Sequence, residues 1–357
     1  MLSKTKTIVF ILPDLGQGGA ERVITTIINH LDRNKYTPKL ILFEKKGFYL
    51  NDLAKDVEII ELNVSRIRYS IFKIIPTLKK IKPDFVFIGW GEISAFISPL
   101  IPFFRKTKFI ARETNVVSQH VKRKEIRFFY RFYNNFHKII AQSDDMKNDL
   151  VKNIGIKSEK IVKINNPVDF ELIESRLNSK EKHYSGEFKN VVAIGNLSER
   201  KGFDLLLKVF DKLKETNIKL HILGDGLQKE ELLKQKENSN LKNVEFLGIK
   251  ENPFPYLQQA DLFILSSRYE GFPNVLLEAG ACGTYALAND CPGGIGEIIQ
   301  NEVNGEICDI NDSERFSLKI SELVNQTHPQ EIIKESIRSR FAKGVILDKY
   351  NKIFEDL

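Results

Sequence analysis

Cysteine is scarce: Cys282, Cys291 and Cys308 are three in 357 residues, with no Cys-x-x-Cys pair among them. An odd, scattered set supplies neither a disulfide scaffold nor a zinc site, and it fits a reducing, cytosolic compartment. No secretory leader is expected, because Met1-Leu2-Ser3-Lys4-Thr5-Lys6 runs into a strand pattern without a cleavage site. The stretch 85–104 has Glu92 as its sole charge, but Gly89, Gly91, Pro99 and Pro102 interrupt it. It reads as a buried strand plus a packed helix, not a membrane span. Low-complexity tracts and short repeats are absent. No Asp-x-Asp motif follows a strand of the second half, as a metal-held diphosphate would require, so no metal site is expected. Asp144-Asp145 opens a helical stretch and reads as N-terminal capping.

What is present is the composition of a globular α/β protein, 42% hydrophobic and 28% charged, long enough for two domains. Short apolar runs alternate with helical stretches, the rhythm of parallel sheets covered by helices. The runs are 7–12, 39–43, 57–62, 85–88, 108–111, 138–141 and 160–164, then 191–194, 219–223, 244–247, 262–265 and 285–288. A boundary falls after Asn166-Pro167-Val168-Asp169, and the polar stretch 178–189 reads as a linker or loop. The expected domains are therefore 1–168 and 169–340. A C-terminal helical segment, 341–357, with a break at Gly344, is expected to pack back toward the first domain. Charge divides unevenly: residues 1–168 hold 30 Lys and Arg against 16 Asp and Glu, and the remainder hold 24 against 31. The halves then meet different partners, or simply carry different solvated surfaces.

Three segments carry candidate chemistry. The first strand ends in Gly16-Gln17-Gly18-Gly19-Ala20-Glu21-Arg22 before a helix. Glycines there let amides approach an anion, although the same residues also make a tight turn. A dinucleotide-binding loop would need glycine where Glu21 stands, while Glu44, ending the second strand, sits where such a fold puts its ribose-binding acid. In the second half, Gly195-Asn196-Leu197-Ser198-Glu199-Arg200-Lys201-Gly202 places two cations between a strand and a helix. They suit a diphosphate or are surface cations near a cap. The most specific segment runs from Ser266 to Ala279, with Glu270 on a loop and Glu278 in the helix that starts near Pro273. That pair reads as an acid/base couple or, given its separation, as binders of ligand hydroxyls.

Together these segments, with Asp290-Cys291-Pro292-Gly293-Gly294-Ile295-Gly296-Glu297 and the Asn166 to Asp169 hinge, resemble the retaining glycosyltransferases of family 4. The resemblance implies the GT-B architecture, two Rossmann-like parallel-sheet domains facing each other across a cleft. It implies a nucleotide-sugar donor, a UDP-sugar foremost, a glycan or lipid-linked glycan acceptor, and no metal or other cofactor. By the same resemblance Gly18 and Gly19 approach the donor diphosphate, and Arg200 and Lys201 neutralise it as it leaves. Glu270 holds hydroxyls of the transferred sugar, Glu278 holds the ribose, and amides around Phe272, Pro273, Asn274 and Val275 cap the distal phosphate. The chain departs from the pattern at Asn196, where many members have arginine, and at Gly296, where proline is common. It departs again at Arg112-Glu113-Thr114-Asn115, an acceptor-side strand end without the usual histidine; His120 lies nearby. The rival functions are a nucleotide-sugar epimerase or phosphorylase on the same frame, and a non-catalytic or dinucleotide-binding protein.

The stretch 118–138 is basic and aromatic. Read as one helix, Lys124, Arg127 and Arg131 share one side, and Ile126, Phe129, Tyr133 and Phe136 another. Such a helix suits an anionic membrane surface, placing a cytoplasmic protein peripherally on the inner face of the cell membrane. Alternatively its aromatics pack inward and its cations are merely solvated. Nucleic acid is not expected as a partner, since the cations occupy one short stretch.

Overall fold

A computed structural model describes residues 5–16, 18–64, 67–177 and 181–357. It divides into two units: residues 1–167 with 346–357, and residues 168–345. Gln17 of the glycine loop, Met1 to Lys4, and Asn178 to Lys180 of the expected linker lie outside the described residues.

The first unit is built on seven parallel strands: β1 (Lys6–Leu12), β2 (Tyr36–Leu42), β3 (Glu58–Glu61), β4 (Phe85–Ile88), β5 (Lys108–Arg112), β6 (Lys138–Ala141) and β7 (Ile161–Lys163). Their order is β3-β2-β1-β4-β5-β6-β7. Side chains alternate across the sheet, as a two-residue period demands. Val9, Ile11, Val86, Ile88, Phe109 and Ala111 face the core under helices Ile67–Ile81, Gly91–Ile97 and Asp144–Lys152. On the other side Ile8, Phe10, Phe85, Phe87 and Ile110 face helix Gly19–Asn29 and the final helix, Lys343–Asp356. That final helix contributes Ile346, Tyr350 and Phe354, and the Phe354 ring lies 5.5 Å from Phe85 and 5.7 Å from Tyr36. Burying each such ring contributes on the order of 1.5–3 kcal/mol, so residues 346–357 are part of this unit's core.

The second unit has six parallel strands: β8 (Lys189–Ile194), β9 (Ile218–Leu223), β10 (Val244–Gly248), β11 (Leu262–Leu265), β12 (Ala286–Asn289) and β13 (Gly305–Cys308). Their order is β10-β9-β8-β11-β12-β13. In each sheet the strand order reverses once, between β1 and β4 and between β8 and β11. Open α/β sheets bind ligands beyond the carboxyl ends of the strands at such a reversal.

Three expectations need correction, and one strand is added. Gly344 does not break the last helix; the break is at Ala342, between helices Gln330–Phe341 and Lys343–Asp356. Its cause is tertiary: the Val168 amide donates to Phe341 O at 2.8 Å, and the Lys343 amide donates to Val168 O at 2.8 Å. Extended Ala342 is what lets both bonds form. Strand β13 went unread, since four residues opening on glycine give almost no periodic signal. The helix after Gln142 is capped by Ser143, whose hydroxyl accepts from the Met146 amide, while Asp144 pairs with Lys163. Residues 118–138 form no single helix: Val117–His120 and Lys124–Phe129 are separate, and Tyr130–Asn135 winds as a tighter 3-10 turn. Among the described residues no helix is long and apolar enough to cross a membrane.

Candidate functional site

At the strand reversal of the second sheet, the loops after β8 and β11 lie side by side, because those strands pair directly (Val191 with Leu262). The loops are laced together by backbone. The Arg268 amide donates to Arg200 O at 2.7 Å, and Ser266 Oγ donates to Lys201 O at 2.8 Å. Gly202, at φ +64, closes the first loop, and a Cβ there would lie 2.1 Å from Ser266 O. Gly202→Ala is therefore expected to lose more than about 2 kcal/mol of stability through left-handed strain and that clash. Urea denaturation checks this. Arg268 adds a fork: its guanidinium reaches both carboxylate oxygens of Asp204 at 2.7 Å and Glu199 O at 2.6 Å.

This lacing brings three of the expected site residues together. Glu270, 4% exposed, accepts hydrogen bonds from Lys201 Nζ at 2.6 Å, Arg200 Nη1 at 2.8 Å and Ser267 Oγ at 2.6 Å. Burial alone would raise its carboxyl pKa, but the charges of Lys201 and Arg200 and the bonds from Lys201 and Ser267 prevail and hold it below the usual carboxylate range. Glu270 is thus a carboxylate at neutral pH, able to accept from hydroxyls and unsuited to donating a proton. Behind it the Glu270 amide donates to Pro292 O at 2.9 Å, and a Cβ on Gly293 (φ +137) would lie 2.5 Å from Glu270 O.

Phe272 is buried, 5.5 Å from the Phe341 ring. Pro273 caps helix Asn274–Ala281, with Asn274 and Val275 half-buried in its first turn. Glu278 is buried one turn further along that helix.

The comparisons with known proteins cover nearly the whole chain. Residues 17–172 match the family model described as Glycosyltransferase Family 4, and residues 175–340 match Glycosyl transferases group 1. The chain belongs to glycosyltransferase family 4. A Campylobacter jejuni N-acetylgalactosamine-N,N'-diacetylbacillosaminyl-diphospho-undecaprenol 4-alpha-N-acetylgalactosaminyltransferase is 26% identical, over 91% of this chain and 92% of its own. The amylovoran biosynthesis glycosyltransferase AmsD of Erwinia amylovora is 27% identical, over 94% and 95%. An uncharacterized glycosyltransferase of Methanocaldococcus jannaschii is 30% identical, over 74% and 68%. Among solved structures, Anabaena HepE in complex with UDP and glucose superposes with a TM-score of 0.84 at 20% identity, over 99% of this chain and all of that one. The fold is accordingly that of the GT-B glycosyltransferases.

In the first unit of this transferase the expected residues divide between core and surface. Gly18 caps helix Gly19–Asn29, and a Cβ on it would lie 2.1 Å from Glu21 Oε2. A carboxylate thus already stands beside the glycine loop, its pKa raised by burial. Glu44, the candidate ribose acid of the rival reading, pairs with Lys46. Arg112 is 0% exposed; its Nη2 donates to Asn166 Oδ1 at 2.6 Å and its Nε to the Tyr350 hydroxyl at 3.1 Å. Asn115 Nδ2 donates to Thr114 Oγ1 at 3.3 Å. Arg127 and Arg131 are exposed.

Glu113 is buried against Tyr130 and Tyr133, and both hydroxyls donate to it. Burial pushes its carboxyl up to about 7, against the opposing tyrosine bonds. Between pH 4.5 and 7 the unfolded chain releases this proton while the folded chain keeps it, so stability falls as pH rises. The loss is complete above pH 7 and is on the order of 3 kcal/mol. Glu113→Gln is expected to remove that slope, gaining on the wild type steadily from pH 4.5 to 7 in urea denaturation. Parallel stability curves for the two proteins would refute it.

Ser267, Asp204 and Arg268 carry no role that the sequence pattern alone discloses. Ser267 and Arg268 stand inside the segment from Ser266 to Ala279, but only the pairing of β8 with β11 shows what they touch.

Proposed function

We propose that the chain transfers a sugar from a nucleotide diphosphate sugar, a UDP-sugar first among them, to a glycan or lipid-linked glycan acceptor in cell-surface polysaccharide or glycolipid synthesis. The transferred sugar is a hexose or an N-acetylhexosamine, the anomeric configuration is retained, and no metal takes part. The observation that carries this is the Glu270, Arg200 and Lys201 cluster at the sheet reversal. Transfer develops negative charge on the departing diphosphate, and fixed cations there stabilise it without reorganising. Glu270 keeps both cations in place until a donor arrives and offers its carboxylate to sugar hydroxyls. Glu278 takes the ribose, and the amides at Phe272 to Val275 take the distal phosphate. Support for a uridine donor comes from HepE, solved with UDP and with UDP-glucose. Support for a lipid-linked acceptor comes from the Campylobacter relative's diphospho-undecaprenol substrate.

The test is a panel of nucleotide sugars with glycan and polyprenyl-diphosphate acceptors, following free nucleotide release and the anomer of the product. Acceptor-dependent release of UDP that survives EDTA supports the reading. Full inactivation by EDTA, reversed by Mg²⁺ or Mn²⁺, removes the metal-free account, and an inverted product removes retention.

A further inference from the structure

The exposed large apolar side chains of the first unit's described residues are all aromatic: Phe48, Tyr69, Phe72, Phe103, Phe128 and Phe132. All but Phe48 belong to the helical layer on one face of the sheet. Phe72 and Phe103 are 76% and 77% exposed, and Phe128 is 51% exposed. The ridge formed by 124–135 is held rather than loose. Phe128 lies 5.7 Å from Phe129 and 6.0 Å from Phe132, edge to face, and Phe129 is anchored 4.8 Å from Phe96. Of the aromatics that share a side with Ile126, Tyr133 and Phe136 are buried and Phe129 is half-buried. Phe128 and Phe132 form a second, outward set beside the cations. The Arg131 guanidinium sits 5.5 Å from the Phe128 ring centre, and Arg68 sits 5.0 Å from Tyr69.

The charge around these rings is predominantly positive. Between residues 67 and 135 the exposed cations include Lys122, Arg123, Lys124, Arg127 and Arg131, while the exposed acids are Asp84 and Glu125 alone. Rings left in water beside uncompensated cations fit an interface whose surface is anionic and whose interior is apolar, and that is a bilayer. Single-stranded nucleic acid also combines charge with stacking, but it uses a groove that tracks the backbone, whereas these rings stand on the outer side of packed helices.

We propose that this layer docks on an anionic lipid bilayer, with Phe128 and Phe132 seated at the acyl boundary and Lys124, Arg127 and Arg131 on headgroup phosphates. Vesicle binding needs neither donor nor acceptor, so it stands or falls apart from the transfer reaction. The experiment is sedimentation of the full chain with vesicles of phosphatidylcholine alone or mixed with phosphatidylglycerol. The wild type is expected to bind the mixed vesicles at least about tenfold better at low salt, and to lose most of that binding at high salt. Arg127→Glu with Arg131→Glu, and separately Phe128→Ser with Phe132→Ser, should each reduce binding about tenfold or more while melting as the wild type does. Failure of the wild type to bind mixed vesicles at low salt overturns the proposal. So does undiminished binding by the folded variants, or binding of single-stranded DNA through these residues in place of vesicles.

Discussion

Lys201→Ala is expected to lower turnover by about 10²- to 10³-fold, the effect of losing one donor to developing negative charge, or roughly 2.7–4 kcal/mol. Lys201 is largely buried and lies 2.6 Å from Glu270, so its ammonium is fixed before any diphosphate arrives. Removal also leaves Glu270 with Arg200 and Ser267 as partners, and some loss of stability accompanies the kinetic effect. The two separate experimentally. A folded Lys201→Ala protein, judged by its melting curve, should show the defect in kcat at saturating donor. A variant whose turnover recovers fully at high donor concentration would place Lys201 in ground-state binding alone.

Glu270→Gln is expected to reduce kcat by orders of magnitude, whereas Glu278→Gln should act mainly on KM for the donor. A contact to the reacting sugar changes during transfer, while a ribose contact holds ground and transition states alike. The structure adds a control. Glu270 keeps a depressed pKa when folded, so its ionisation stabilises the folded chain above the ordinary carboxylate pKa, and this is lost as pH falls through the folded value. Glu270→Gln should abolish that acid limb, and Glu278→Gln need not. Equal losses of kcat in the two variants would refute the assignment of roles.

Much of this was legible beforehand because strands announce themselves by composition and spacing. Phe85–Ile88, Lys138–Ala141 and Leu262–Leu265 have the bounds expected of them. What stayed hidden depended on contacts distant in sequence. The break at Ala342 is imposed by Val168, some 170 residues away, and overrides the intrinsic weakness of Gly344 as a helix former. Glu270, Arg200 and Lys201 were each legible as site residues, but the contacts that join them to one another and to Ser267 were not, since the pairing of β8 with β11 is a property of topology. The outward ridge of Phe128 and Phe132 escaped for a similar reason: four residues apart, they fall beside the cations even on a continuous helix, but only the packing of the layer on the sheet shows that this side is left in water.

The return of residues 346–357 to the first unit has a consequence for biosynthesis. A ribosome releases the second unit as one uninterrupted segment, ready to fold as soon as it emerges. The N-terminal sheet, though made first, waits for Tyr350 and Phe354 to cover its second face, about 10–40 s later at ordinary rates of synthesis. Until then Phe85 keeps only Tyr36 and Phe87 only Phe10 of their aromatic neighbours, without Tyr350 and Phe354, and Arg112 lacks the Tyr350 hydroxyl. A nascent chain stalled before residue 346 should therefore expose an apolar face that chaperones recognise, on the half of the molecule that has been outside the ribosome longest.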